Sequence, residues 1–157
     1  MLRTAGRQTG TIGTIISKLR NFESEENRIE FLKQYANIDE LRNICLLFHA
    51  QEIYTFNAIR EYIESLTHPP VFEFLSSSGQ NVQYIYLMTC SDQSLHNDVR
   101  KITRFNMLMD MSSKENADLY YDKIMGNVPE GLTEDVVKAV WPKEFDITKK
   151  ACNDTHN

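Results

Sequence analysis

Val99, Ile102, Phe105 and Met109 recur three and four residues apart, and a polar break at Met111-Ser112-Ser113-Lys114 follows them directly. A strand would divide those side chains between two faces, whereas 3.6 residues per turn gathers them on one. The spacing predicts a helix over Asp98–Met109 and, past the break, a second over Asn116–Met125. Val128-Pro129-Glu130-Gly131-Leu132 then reads as a turn. Thr133 caps a short helix with Glu134 and Asp135 in its first turn, where acids suit the dipole, and the run closes on Val140-Trp141-Pro142. The fold class this implies is mainly α, a single-domain helical bundle.

Upstream, Ile12, Ile15, Ile16 and Leu19 mark one face of a helix over Thr11–Leu19. Ser24 caps the next, with Glu25 and Glu26 behind it; it buries Ile29, Phe31 or Leu32, and Tyr35, and stops near Asn37. Asp39 caps a third, with Leu41, Ile44, Cys45 and Phe48 on one stripe, ending at His49 or Ala50. Ile53-Tyr54-Thr55-Phe56 is strand-like by residue type, while Ile59, Ile63 and Leu66 are helically spaced; a short extended lead-in to a helix ending at Leu66 satisfies both. Pro69-Pro70 stops that helix. Residues 71–81 read as a flexible loop, because Ser76-Ser77-Ser78-Gly79-Gln80-Asn81 are turn formers without an apolar anchor. Tyr84–Thr89 fits a strand or a helix equally well. Residues 1–9 read as a flexible basic arm, 10–148 as one helical domain, and 149–157 as a polar, disordered tail.

The length of 157 residues suits one domain. No apolar run approaches the ~20 residues of a membrane span, and the start of the chain does not read as a secretory signal. Cys45, Cys90 and Cys152 are odd in number and far apart, which speaks against a disulfide framework and for the cytoplasm. Charge is unevenly placed. Arg3, Arg7, Lys18 and Arg20 are the only charged residues among the first twenty, yet the whole chain stands at −5. A dedicated duplex-binding domain is usually basic, since neutralised phosphates supply most of its affinity.

No catalytic constellation emerges, and the chain is not expected to be an enzyme. The four histidines do not sit at ligand spacing with one another or with the cysteines, so no metal is implied. There is no phosphate-cradling glycine loop, no nucleophile elbow, and hence no cofactor. Glu134 and Asp135 are adjacent and point about 100° apart on a helix, which suits a first turn better than acid–base work. The basic residues are more informative. Arg100, Lys101 and Arg104 cluster on the helix from Asp98, and Arg100 and Arg104 share a face at i and i+4, away from the apolar stripe. They are the primary candidates for phosphate contacts, with Arg3, Arg7 and Lys18 as a second basic group; a merely solvated helical face is the competing interpretation. Tyr54 and Phe56 could form a base-stacking platform, but a buried aromatic pair is the better reading, because no basic residue interleaves before Arg60.

The order of pieces from Asn97 to Phe145, ending in Val140-Trp141-Pro142, resembles the close of the all-helical N-terminal domain of T-even-type bacteriophage ATP-dependent DNA ligases. The stretch Ile53–Ile59 is similar to that domain's aromatic, β-branched Tyr-x-Thr-Phe-x-Ile segment. The likeness covers residues 10–66 loosely and 84–145 more clearly. It favours a helix over Val82–Cys90. No Lys-x-Asp-Gly adenylation motif occurs, so the resemblance implies a ligase's DNA-gripping domain without its catalytic domain. In the ligases the glycine-containing turn leads into a helix whose N-terminal amides lie near the DNA backbone. Here Glu130, Glu134 and Asp135 surround that point and repel phosphate, a departure that argues against duplex binding by this element.

Two functions follow as expectations. One is a non-catalytic phage accessory protein, acting in the host cytoplasm, that binds DNA or a DNA-processing complex through Arg100, Lys101, Arg104 and the basic arm. The other is a protein-interaction module whose acidic surface modulates or inhibits a host DNA-processing or defence enzyme. Neither calls for a membrane or a small-molecule cofactor.

Overall fold

A computed structural model describes residues 11–156, with side chains through Asn153. The expected basic arm, with Arg3 and Arg7, lies outside the described residues. Nine α-helices and no strand occur among the described residues, so the mainly helical expectation is met. Within this region no helix is long and apolar enough to cross a membrane. The chain divides into two compact units. One comprises residues up to Thr14 and Thr55–Asn127, the other Ile15–Tyr54 and Val128 onward.

The first unit contains α4 (Asn57–Ser65), α5 (Gln80–Thr89), α6 (Asp98–Met111) and α7 (Lys114–Met125). Helix α6 packs against both α4 and α5. Phe56, Ile59, Leu87, Phe105, Leu108 and Tyr120 are fully buried there. Helix α4 lacks a side-chain cap of its own, and Asp92 supplies one from far along the chain. Its carboxylate accepts from the Asn57 amide (2.9 Å), the Ala58 amide (3.4 Å) and the Thr55 hydroxyl (2.7 Å). Burial alone would raise the Asp92 pKa, but these donors and the nearby Lys101 charge outweigh it and hold the carboxyl below its usual range. Gly126, at φ 79°, ends α7 in the left-handed conformation that favours glycine.

Polar side chains knit this interior. The start of α1 (Thr11–Ser17) inserts its free amides among them: Ile12 N–H donates to Gln80 Oε1 (2.9 Å) and Gly13 N–H to Asn116 Oδ1 (2.8 Å). Asn116 Nδ2 and the Tyr120 hydroxyl both donate to Gln83 Oε1, at 3.0 and 2.9 Å, and Gln83 Nε2 donates to the Ser78 carbonyl (2.8 Å). Gly13 is required here because a Cβ would fall on the Glu115 carbonyl.

The loop before α5 corrects an expectation. Upstream of the turn formers the Phe72 ring meets Phe105 edge-on at 5.7 Å. The Leu75 and Ser77 amides donate to the Asp110 and Met111 carbonyls (2.7 and 3.0 Å), satisfying acceptors at the end of α6. Phe74 and Ser76 are held at φ 51° and 54°. Gln80 and Asn81, expected in the loop, already belong to α5.

The second unit contains a 3₁₀ turn (Lys18–Asn21), α2 (Glu25–Lys33), α3 (Asp39–His49), α8 (Glu134–Val140) and α9 (Pro142–His156). Helix α8 packs on α2, α3 and α9. The Ser24 and Thr133 caps form as expected, accepting from the Asn27 amide (3.1 Å) and the Val136 amide (3.2 Å). Asp39 does not cap α3; Ile38 occupies that position without a side-chain bond. Leu41, Ile44, Cys45, Leu47, Val136 and Val137 are fully buried, and Trp141 donates its indole N–H to the Ala36 carbonyl (2.9 Å). From Lys149 the chain continues α9 to His156, where a frayed tail was expected.

Candidate nucleic-acid interface

Asn97 starts α6 by accepting from the Arg100 amide at 2.8 Å, with Asp98 in the first turn. From that start Lys101, Phe105, Leu108 and Met109 face inward. The expected stripe shared Phe105 and Met109 with this face but placed Val99 on it; Val99 is instead 75% exposed. Lys101 takes the inward position. Only 6% exposed, it lays its stem along the core and donates from Nζ to the Asp92 carbonyl at 3.5 Å.

The other two basic candidates stay together. Arg100, Thr103, Arg104 and Met107 follow the i, i+3, i+4, i+7 pattern on α6 and, with Asn97, Val99 and Tyr86 of α5, line an open groove of about 450 Å³. Arg100 is exposed and Arg104 half-buried, its guanidinium 5.0 Å from the centre of the Tyr86 ring. Neither guanidinium forms an ion pair among the described residues, and no carboxylate lines the groove. The groove therefore offers two uncommitted fork-shaped cations beside an aromatic ring and exposed apolar walls. Guanidiniums of this kind suit phosphate oxygens.

No known protein family matches this chain, and neither a curated protein nor a solved structure matches it significantly. Function must be read from the chain's own chemistry.

The remaining candidates have different surroundings. Lys18 and Arg20 are exposed on the 3₁₀ turn of the second unit. Phe56 is fully buried and is not available to stack on a base. At the start of α8, Thr133 donates its hydroxyl to Glu25 Oε2 (3.0 Å), so Glu25 joins the exposed Glu130, Glu134 and Asp135. That end repels phosphate. A smaller hollow of about 170 Å³ beside Lys149 and Cys152 is already occupied electrostatically, since Lys149 Nζ reaches Glu52 Oε1 (2.6 Å) and the His49 carbonyl (3.1 Å).

The thiols are kept protonated. Burial pushes Cys90 up to about 12 against the opposing charge of Arg104, and burial likewise raises Cys45 and Cys152. No group of three or more His, Cys, Asp or Glu side chains is arranged to hold a metal among the described residues. Sequence reasoning missed Tyr86, Val99, Thr103 and Met107 as groove residues. The signal for Thr103 and Met107 was present, because they share the Arg100–Arg104 stripe; Tyr86 joins only through packing of α5 on α6.

Proposed function

We propose that this chain is a non-catalytic accessory protein that binds nucleic acid through the α5–α6 groove, on a scaffold resembling the DNA-gripping domain of phage ligases. The observation that carries this reading is the convergence of two guanidiniums, Arg100 and Arg104, without an ion pair among the described residues, with the Tyr86 ring in a groove that no described carboxylate lines. Phosphate gains from both forks without displacing an existing partner. With the whole chain at −5, repulsion elsewhere limits affinity to on the order of 1–100 µM. The test is fluorescence anisotropy with a nicked duplex bearing a single-stranded tail, at about 50 and about 200 mM salt. Binding that weakens with salt and disappears in Arg100→Glu/Arg104→Glu supports the reading. No binding at the lower salt refutes it.

A second reading is favoured by the acidic start of α8. Glu25, Glu130, Glu134 and Asp135 form an exposed acidic surface suited to a basic face on a DNA-processing or defence enzyme of the host. Charge reversal at Glu134 and Asp135 would abolish such docking and leave the nucleic-acid affinity of the groove intact or strengthened.

A further inference from the structure

We infer that the α5–α6 groove takes single-stranded nucleic acid, or an unpaired end, in preference to intact duplex; this rests on the nucleic-acid reading above. Gripping a duplex relies on several cations laid along the phosphate track. This groove supplies two, because Lys101 is turned into the core. What it supplies in addition is apolar and aromatic surface. Val99 is 75% exposed and Met107 41%, and the Tyr86 ring lies beside them.

Such side chains find nothing to cover on the sugar–phosphate exterior of a paired helix. An unpaired base offers them its flat face. Arg104 over the Tyr86 ring already forms a cation–aromatic layer of the sort on which a base stacks. The Asn97 oxygen is taken by the Arg100 amide, which leaves the side-chain NH₂ as a donor for a base edge. At about 450 Å³ the hollow falls in the range of ligand clefts, ~300–1,000 Å³, where a duplex contact needs no hollow at all.

The experiment compares a labelled single strand with a blunt duplex of the same length and sequence, using the full chain, Val99→Ser, Tyr86→Leu and Arg100→Gln/Arg104→Gln. Because Val99 is exposed, its substitution tests the wall without threatening the fold. The expected results are a strand affinity about tenfold above that of the duplex, and a several-fold loss in Val99→Ser and Tyr86→Leu with the salt slope unchanged. In Arg100→Gln/Arg104→Gln the slope should fall by about 1.4, at ~0.7 per phosphate of a single strand. Equal or tighter duplex binding overturns this inference and leaves the accessory role standing. Competition by inorganic polyphosphate as strong as that by unlabelled strand overturns it too, since charge alone would then account for binding. Failure to bind either nucleic acid overturns both.

Discussion

Inside the unit that holds α4–α7, Gln83 and Asn116 are completely buried and bonded to each other, to Tyr120 and to the Gly13 amide. Inside the unit that holds α2, α3, α8 and α9, the most buried positions are all apolar, Leu32, Leu41, Ile44, Cys45, Leu47, Val136 and Val137 among them. Both interiors exclude water, but they respond to substitution by different rules. An apolar interior loses stability in proportion to the volume removed. A polar one loses it whenever a donor or acceptor is left without a partner, whatever the volume. Apolar side chains fill both interiors, so shape specifies each, and the first is specified by direction as well.

The largest effect is expected in the second unit. Trp141→Ala should lower stability by about 3–5 kcal/mol in chemical denaturation, and Trp141→Phe by less, chiefly through the unpartnered Ala36 carbonyl. If the two substitutions were equally damaging, the indole bond rather than the volume would dominate and the contrast would blur. Asn116→Leu comes next, at about 2–4 kcal/mol, although it keeps the branched outline of the side chain and adds apolar surface. A neutral or stabilising result there would remove the distinction between the two interiors.

Gly13→Ala should destabilise by about 1–3 kcal/mol, since the added methyl meets the Glu115 backbone and cannot be relieved by a side-chain shift. The measurement is again the denaturation midpoint, and an unchanged midpoint would mean that the start of α1 is not seated among α5 and α7 as described. A smaller effect is conditional on pH. The Asp92 pKa is lowered in the folded state, so its contribution is present above the ordinary carboxylate pKa of about 3.9 and is lost as pH falls through the folded value. Asp92→Asn should therefore flatten the acid limb of Tm against pH below about pH 4. Asp122 shifts upward, by burial and then by Asp118, so Asp122→Asn should instead remove a penalty felt above its folded pKa. Parallel acid limbs in wild type and Asp92→Asn would contradict the capping role.

Much of the helical plan was legible because it rests on local chemistry. The stripes Ile12-Ile15-Ile16-Leu19 and Leu41-Ile44-Cys45-Phe48 are buried as their spacing requires, and the Ser24 and Thr133 caps bond within three residues of themselves. The register of α6 was not legible, because two stripes share Phe105 and Met109. What separates them is the Leu108 and Lys101 side of the helix, and a lysine reads as solvated until its carbonyl partner, Asp92, is known. The polar network was hidden for the same reason, since Gln80 and Asn116 meet partners 68 and 103 residues away. The candidate site was half visible. Arg100 and Arg104 announce themselves by spacing, whereas Tyr86 reaches them from another helix.

The two amides at the start of α1 carry a consequence for the order of events during synthesis. Thr11–Ser17 leaves the ribosome before α4 to α7, and the Gly13 amide has no native acceptor until Asn116 has been made, 103 residues later. A seven-residue helix is too short to persist alone in water. Its first turn must therefore wait as uncommitted chain while α4 to α7 emerge, and it settles late. At about 5–20 residues per second that delay lasts several seconds, long enough for a chaperone or a protease to reach the segment before the fold does.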